Sequence, residues 1–152
     1  MKEREIGLEA IIRDAIVREE EARRLFTEAR AMVQEPGAKR LLTELAQEEV
    51  VHKQRLESID LKTLQEQPLS LPEDLMITEI LAGQRITPES SFQDVLILAM
   101  KLEKAAYELY TELERQTADP QAHQAFHWLA REELAHKGRL EKYYDEVVYK
   151  EN

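Results

Sequence analysis

Two stretches of this chain, EEVVHKQRLE at residues 48–57 and EELAHKGRLE at residues 132–141, each set a Glu three residues before a His: Glu49 before His52, and Glu133 before His136. Residues three apart on an α-helix are neighbours, with Cβ atoms about 5–6 Å apart. Each pair can therefore bring one carboxylate and one imidazole to the same point. Oxygen and nitrogen donors of this kind suit a divalent transition metal, and a carboxylate has a second oxygen with which to reach a second ion. The two stretches are one unit written twice. At an offset of 84 residues, nine of the thirteen positions in 45–57 and 129–141 are identical, and AIVREEEARRLFTE (15–28) falls on AMKLEKAAYELYTE (99–112).

That second match supplies two more acids. Glu19 and Glu103 occupy equivalent places, each inside an apolar series: Ala15 and Ala22 around the first, Ala99 and Ala106 around the second. A chain this rich in Glu would hold Glu-x-x-His pairs by composition alone. Composition does not explain why both pairs fall on apolar stripes, at one offset, with a single inward Glu on each remaining stripe. Unpartnered carboxylates in a core cost several kcal/mol each. Two divalent cations would balance four carboxylates, and a donor set rich in oxygen with two imidazoles favours iron or manganese over zinc. The competing reading is a polar core that serves structure only.

These residues need helices to hold them, and the apolar spacing provides four. Leu8, Ile12, Ala15, Ala22, Phe26 and Val33 form one stripe, and Leu42, Leu45, Leu56 and Ile59 a second. Leu96, Ala99, Ala106, Tyr110 and Leu113 form a third, and Phe126, Leu129, Leu140 and Val147 a fourth. The breaks EPGAK and TADPQ turn each half into a hairpin. The expected architecture is all-α: one domain over residues 1–152, with hairpins at about 3–60 and 91–147 and a crossover at about 61–90. PEDLMITEILAG could form a short helix in the crossover, and Thr87 or Ser90 is expected to cap the third helix.

The arrangement resembles the ferritin-like superfamily, specifically its rubrerythrin-like branch. The resemblance covers roughly residues 3–58 and 91–147. It rests on the two Glu-x-x-His pairs and on Glu19-x-x-Ala22-x-x-x-Phe26, repeated as Glu103-x-x-Ala106-x-x-x-Tyr110. It implies a four-helix bundle in which Glu19, Glu49, His52, Glu103, Glu133 and His136 hold two iron ions, manganese being the other candidate. The implied activity is reduction of peroxide or dioxygen. Two departures stand out. Rubrerythrins often carry a further Glu where this chain has Ala106, and they usually carry a Cys-rich rubredoxin segment, whereas this chain has no Cys. Turnover would then need an external electron donor.

Around the six, Tyr110 is expected either to hydrogen-bond a ligand carboxylate or donate an electron, or to pack as an ordinary aromatic. Arg23, the counterpart of Tyr107, is expected to reach solvent or to pair with Glu19. His123 and His127 fall on the far side of their helix from His136, Glu48 and Glu132 are expected in solvent, and Trp128 at a boundary or interface. A net charge of -10 argues against a nucleic-acid partner. The charged start MKEREIGLEA and the lack of a long apolar run argue against a leader and a membrane span, giving a cytoplasmic expectation. Related bundles often dimerise, so a homodimer is also expected. The alternatives to an oxidoreductase are a ferroxidase that handles iron and a metal-stabilised helical interaction module without turnover.

Overall fold

The computed structural model describes residues 3–72, 87 and 89–149. Among them are four long helices: α1 (Leu8–Met32), α2 (Pro36–Glu57), α3 (Phe92–Gln116) and α4 (Pro120–Tyr143). In α2 and α4 an acid precedes a proline at the first helical position, where the missing N–H costs nothing. Glu35 accepts from the Gly37 and Ala38 amides at 2.8 and 2.7 Å, and Asp119 from the Ala122 amide at 3.0 Å. Helix α3 opens with a reciprocal cap, in which the Asp94 amide donates to Ser91 Oγ at 3.0 Å and the Ser91 amide to Asp94 at 3.1 Å. The cap is therefore Ser91, not the expected Thr87 or Ser90. The Thr87 amide instead donates to Ser90 Oγ at 3.0 Å, closing the turn ahead of the helix.

Helix α1 has no side-chain cap at Gly7. Glu66, 58 residues from Leu8, does that work from outside: it accepts from the Leu8 amide at 2.6 Å and from the Glu9 amide at 3.3 Å. It reaches this place through an element that the apolar pattern did not announce. Strands β1 (Glu3–Gly7) and β2 (Pro68–Pro72) pair antiparallel, with Ile6 opposite Leu69 and Glu5 opposite Ser70. Residues 3–7 were expected to be helical and 68–72 to be plain connection. A two-stranded ribbon is all edge, so Pro at both ends of β2 is tolerated. Leu69 and Leu71 are buried. Gln116 fastens β2 to α3, accepting from the Ser70 amide at 2.8 Å and donating to the Ser70 carbonyl at 2.6 Å. The suggested helix in PEDLMITEILAG lies outside the described residues, apart from Pro72.

The bundle pairs α1 with α2 and α3 with α4. Its apolar interior divides into two bodies. One gathers Leu8, Ile12, Leu56, Leu113, Phe126 and Leu129, and the other Phe26, Leu42, Leu45, Leu96, Ala99 and Leu140. Every helix passes from one body to the other, and at each passage it carries one of the predicted acids. Beyond α4 the chain continues as a π-helical turn, Tyr144–Tyr149, which takes in the Val147 expected on the fourth stripe.

Candidate metal centre

The waist between the two apolar bodies holds Glu19, Glu49, His52, Glu103, Glu133 and His136, all but sealed from solvent. Glu49 and His52 lie on α2 between Leu45 and Leu56, and Glu133 and His136 on α4 between Leu129 and Leu140. Helix α1 contributes Glu19 and α3 contributes Glu103. The two imidazoles stack with centroids 4.9 Å apart and planes at 22°. Contacts run across the bundle: Glu133 Oε1 is 2.9 Å from His52 Nδ1, and Glu49 Oε1 is 3.0 Å from His136 Nδ1. Glu49 Oε2 turns to His52 Nδ1 at 3.5 Å, so its two oxygens face different rings. Glu19 Oε2 lies 3.5 Å from His52 Nδ1, and Glu103 Oε2 lies 3.8 Å from His136 Nδ1. Ligand atoms of Glu49, His52, Glu133 and His136 all fall within 4.8 Å of one another.

Short as these distances are, none of them has the geometry of a hydrogen bond. Both oxygens of Glu49, Oε1 of Glu133, Oε2 of Glu103 and all four ring nitrogens of His52 and His136 are buried without a partner aimed at them. Buried polar atoms are ordinarily satisfied. A cluster of lone pairs converging on one space fits hard divalent cations, and the four carboxylates and two imidazoles match the oxygen-rich preference of iron or manganese.

Charge crowding shows in the acidities. Burial and the charges of Glu19, Glu133 and Glu103 push the Glu49 carboxyl well up, and burial with the charges of Glu103 and Glu19 does the same to Glu133. Burial also raises Glu103, to about 7. Burial acts on Glu19 in the same sense but is outweighed by the Glu49 carboxyl, His52 and the Tyr110 hydroxyl, which hold it at about 2. The same acids overcome burial at His52 and His136 and favour their protonated forms. Tyr110 donates to Glu19 Oε1 at 2.8 Å while its ring stacks against Phe126.

Other residues differ from expectation. Arg23 pairs with Glu20 at 2.6 Å, not with Glu19, and Tyr107 packs against the apolar body. Glu48 and Glu132 do not stand off in solvent: Glu48 Oε1 is 3.4 Å from His136 Nε2, and Glu132 Oε1 is 3.6 Å from His52 Nε2. Trp128 sits edge-on to the His52 ring at 5.4 Å. His123 and His127 lie on the outer face near Glu114, as expected. Arg18 went unread. It is buried, with Nη2 on Asp14 at 2.9 Å and its other two nitrogens unpartnered. The spacing Ile11, Ala15, Arg18, Ala22 already put it on an inward row.

Fold and site together define a ferritin-like four-helix bundle with a buried carboxylate–histidine centre that could hold metal. The rubrerythrin family model matches residues 1–59 and 94–152, the two hairpins and their flanks. The chain belongs to the rubrerythrin family. Neither the curated proteins nor the solved structures give a match. Among the described residues no helix is long and apolar enough to cross a membrane.

Proposed function

We propose that the centre holds two iron ions and that the protein is an oxidoreductase of peroxide or dioxygen, supplied with electrons by an external donor. The observation that carries this is the convergence of six buried residues, five of which bring donor atoms without a partner. Glu19 and Glu103 would hold the outer sides, His52 and His136 would each offer Nδ1, and Glu49 and Glu133 would be shared between the ions. When bound, a ferrous pair supplies the two electrons that one peroxide accepts, where a single ferrous ion supplies one at a time.

The chain's own contribution is position, space and protons. Tyr110 fixes one oxygen of Glu19 by its hydrogen bond. Ala22 and Ala106, equivalent in the repeat, line a cavity of about 30 Å³ beside Glu19, Glu49, Glu103 and Glu133. That is room for one or two water-sized molecules, which suits a small oxidant. The small side chain at Ala106 leaves space where a further carboxylate would stand. Burial and crowding favour the protonated forms of Glu49 and Glu133, and the surrounding acids those of the two imidazoles, so ions and protons compete for these atoms.

Rapid mixing of the anaerobic diferrous protein with peroxide, followed by absorbance, tests the reading. One fast oxidation and then a stall until a reductant is added is the expected result. A centre that stays reduced rejects it. Oxidation by dioxygen with continued uptake of Fe(II) into a mineral would replace it with the ferroxidase, and bound metal without oxidant consumption with an interaction module.

A further inference from the structure

We infer that the two histidines are braced crosswise and unequally by Glu48 and Glu132, so that the half containing His136 takes its ion first. The inference rests on the metal-centre reading above and deepens it. Each ring turns Nδ1 inward and Nε2 outward, and both Nε2 atoms are buried without a partner aimed at them. Behind His136 on α4 stands Glu48 of α2, at 3.4 Å, and behind His52 on α2 stands Glu132 of α4, at 3.6 Å. An acceptor at Nε2 keeps the proton there, leaves Nδ1 free for a metal, and fixes the ring plane.

The braces are equivalent in the repeat, but their own supports are not. Glu48 Oε2 is held by Arg139 Nη1 at 2.6 Å, and the second arm of Arg139 is held by Glu44, leaving Glu48 Oε1 for the ring. At the corresponding places in the other half stand Arg55 and Trp128. The Arg55 guanidinium makes no ion pair among the described residues, and Glu132 pairs with His52 alone. Trp128, where Glu44 would be, packs against the His52 ring but offers nothing to an arginine. Glu132 must therefore be ordered when its ring takes an ion, whereas Glu48 is ordered beforehand. An acceptor already in place gives the tighter site.

Titration of the metal-free, oxygen-free protein with Co(II), read by its visible absorption and by hyperfine-shifted imidazole N–H resonances, provides the test. The wild type should bind two ions in two steps, with one exchangeable imidazole resonance appearing in the first. Glu48→Ala should weaken the first step by about tenfold, within the usual range for removing a partner of a metal-bound histidine, and Glu132→Ala only the second. Glu48→Gln and Glu132→Gln, whose amide oxygen still accepts from Nε2–H, should recover most of the loss. Arg139→Gln lies near the surface and leaves Glu48 in place. It should bring the two steps together, and it answers the question even if the Ala variants fail to fold. Two steps unmoved by these changes, or a first step weakened by Glu132→Ala, would overturn the inference. So would a third Co(II) lodged among Glu48, Glu132 and His136, each of which has a donor atom within 4.8 Å of the others'. A wild type that binds no Co(II) would instead overturn the metal-centre reading itself.

Discussion

The two hairpins agree at the six residues that face the centre and disagree at several that surround them. Glu19 matches Glu103, Glu49 matches Glu133, and His52 matches His136. Yet Arg18 stands against Leu102, Phe26 against Tyr110, and Glu44 against Trp128. The consequence is clearest at the equivalent acids. Tyr110 crosses from α3 to bond Glu19 on α1, while Phe26 has no hydroxyl to give Glu103. Against burial, the Glu49 carboxyl and His52 hold Glu19 at about 2 with the Tyr110 hydroxyl adding to them, while burial raises Glu103, which has no such hydroxyl, to about 7. A duplicated set of acids and imidazoles thus supplies a balanced interior, and the surrounding residues make its two ends chemically different.

The severest way to break this picture is to remove a shared element. His136→Ala should lose bound metal, and His127→Ala, on the exposed face of the same helix, should retain it; metal analysis after anaerobic purification decides. Chelation of the wild type should lower its melting temperature, since an ion present at a thousandfold over its Kd contributes about 4 kcal/mol. Equal metal loss from the two variants would mean that the inner face of α4 is misassigned.

Next comes the asymmetry itself. Tyr110→Phe makes the halves alike at this position and leaves Glu19 Oε1 without its buried donor. A hydrogen bond to a charged group contributes about 1.5–3 kcal/mol, and denaturant unfolding of the metal-free protein should show a loss of that size. The Glu19 carboxyl should then titrate higher, nearer to Glu103. An unchanged unfolding midpoint would show that the hydroxyl is dispensable.

The acidities also separate the loaded and empty forms. Glu103 rises from its ordinary 4.5 to about 7 on folding, so its contribution is full below 4.5 and is lost as pH climbs to about 7. Glu49 and Glu133 shift in the same direction. His52 and His136, also raised, contribute fully below 6.5 and lose that contribution at higher pH. Of the six, only Glu19 runs the other way, its contribution failing as pH falls from 4.5 toward about 2. The metal-free melting temperature should therefore fall as pH rises through neutrality, and the loaded protein, whose ions replace those protons, should not follow it. Parallel pH profiles for the two forms would count against ions and protons sharing one site.

Much of this was legible because repetition and periodicity reinforce each other. Glu49, His52, Glu133 and His136 announce themselves twice, and Glu19 and Glu103 follow from the offset. Glu48 and Glu132 were equally repeated, but a helical wheel gives only a direction, and these side chains reach around the helix to the partner's ring. Arg18 falls on the inward row of Ile11, Ala15 and Ala22, but a charged side chain interrupts an apolar pattern, and its pairing with Asp14 is visible only in the structure. The ribbon was hidden for a different reason. PLSLP is short and bounded by prolines, and its partner lies some 60 residues earlier, so neither strand carries a local signal.

The ribbon also sets the smallest contrast between the hairpins: α3 is capped by its own Ser91, whereas α1 borrows Glu66 from beyond α2. Loss of a cap costs about 1 kcal/mol in most helices, and the negative charge adds a favourable interaction with the helix N-terminus. Ser91→Ala should therefore fray only the first turn of α3. Glu66→Ala should cost a similar amount, yet its effect should spread, because Glu66 immediately precedes Gln67, whose carbonyl accepts from the Leu8 amide at 3.0 Å, and β2 follows at Pro68. Amide hydrogen exchange distinguishes the two. In Glu66→Ala, faster exchange should appear at Leu8, at Glu9 and in the β1–β2 pairing together, while Ser91→Ala should leave that ribbon protected. Faster exchange confined to Leu8 and Glu9 would show that β1 and β2 hold together without the cap, and that the two hairpins start their helices independently after all.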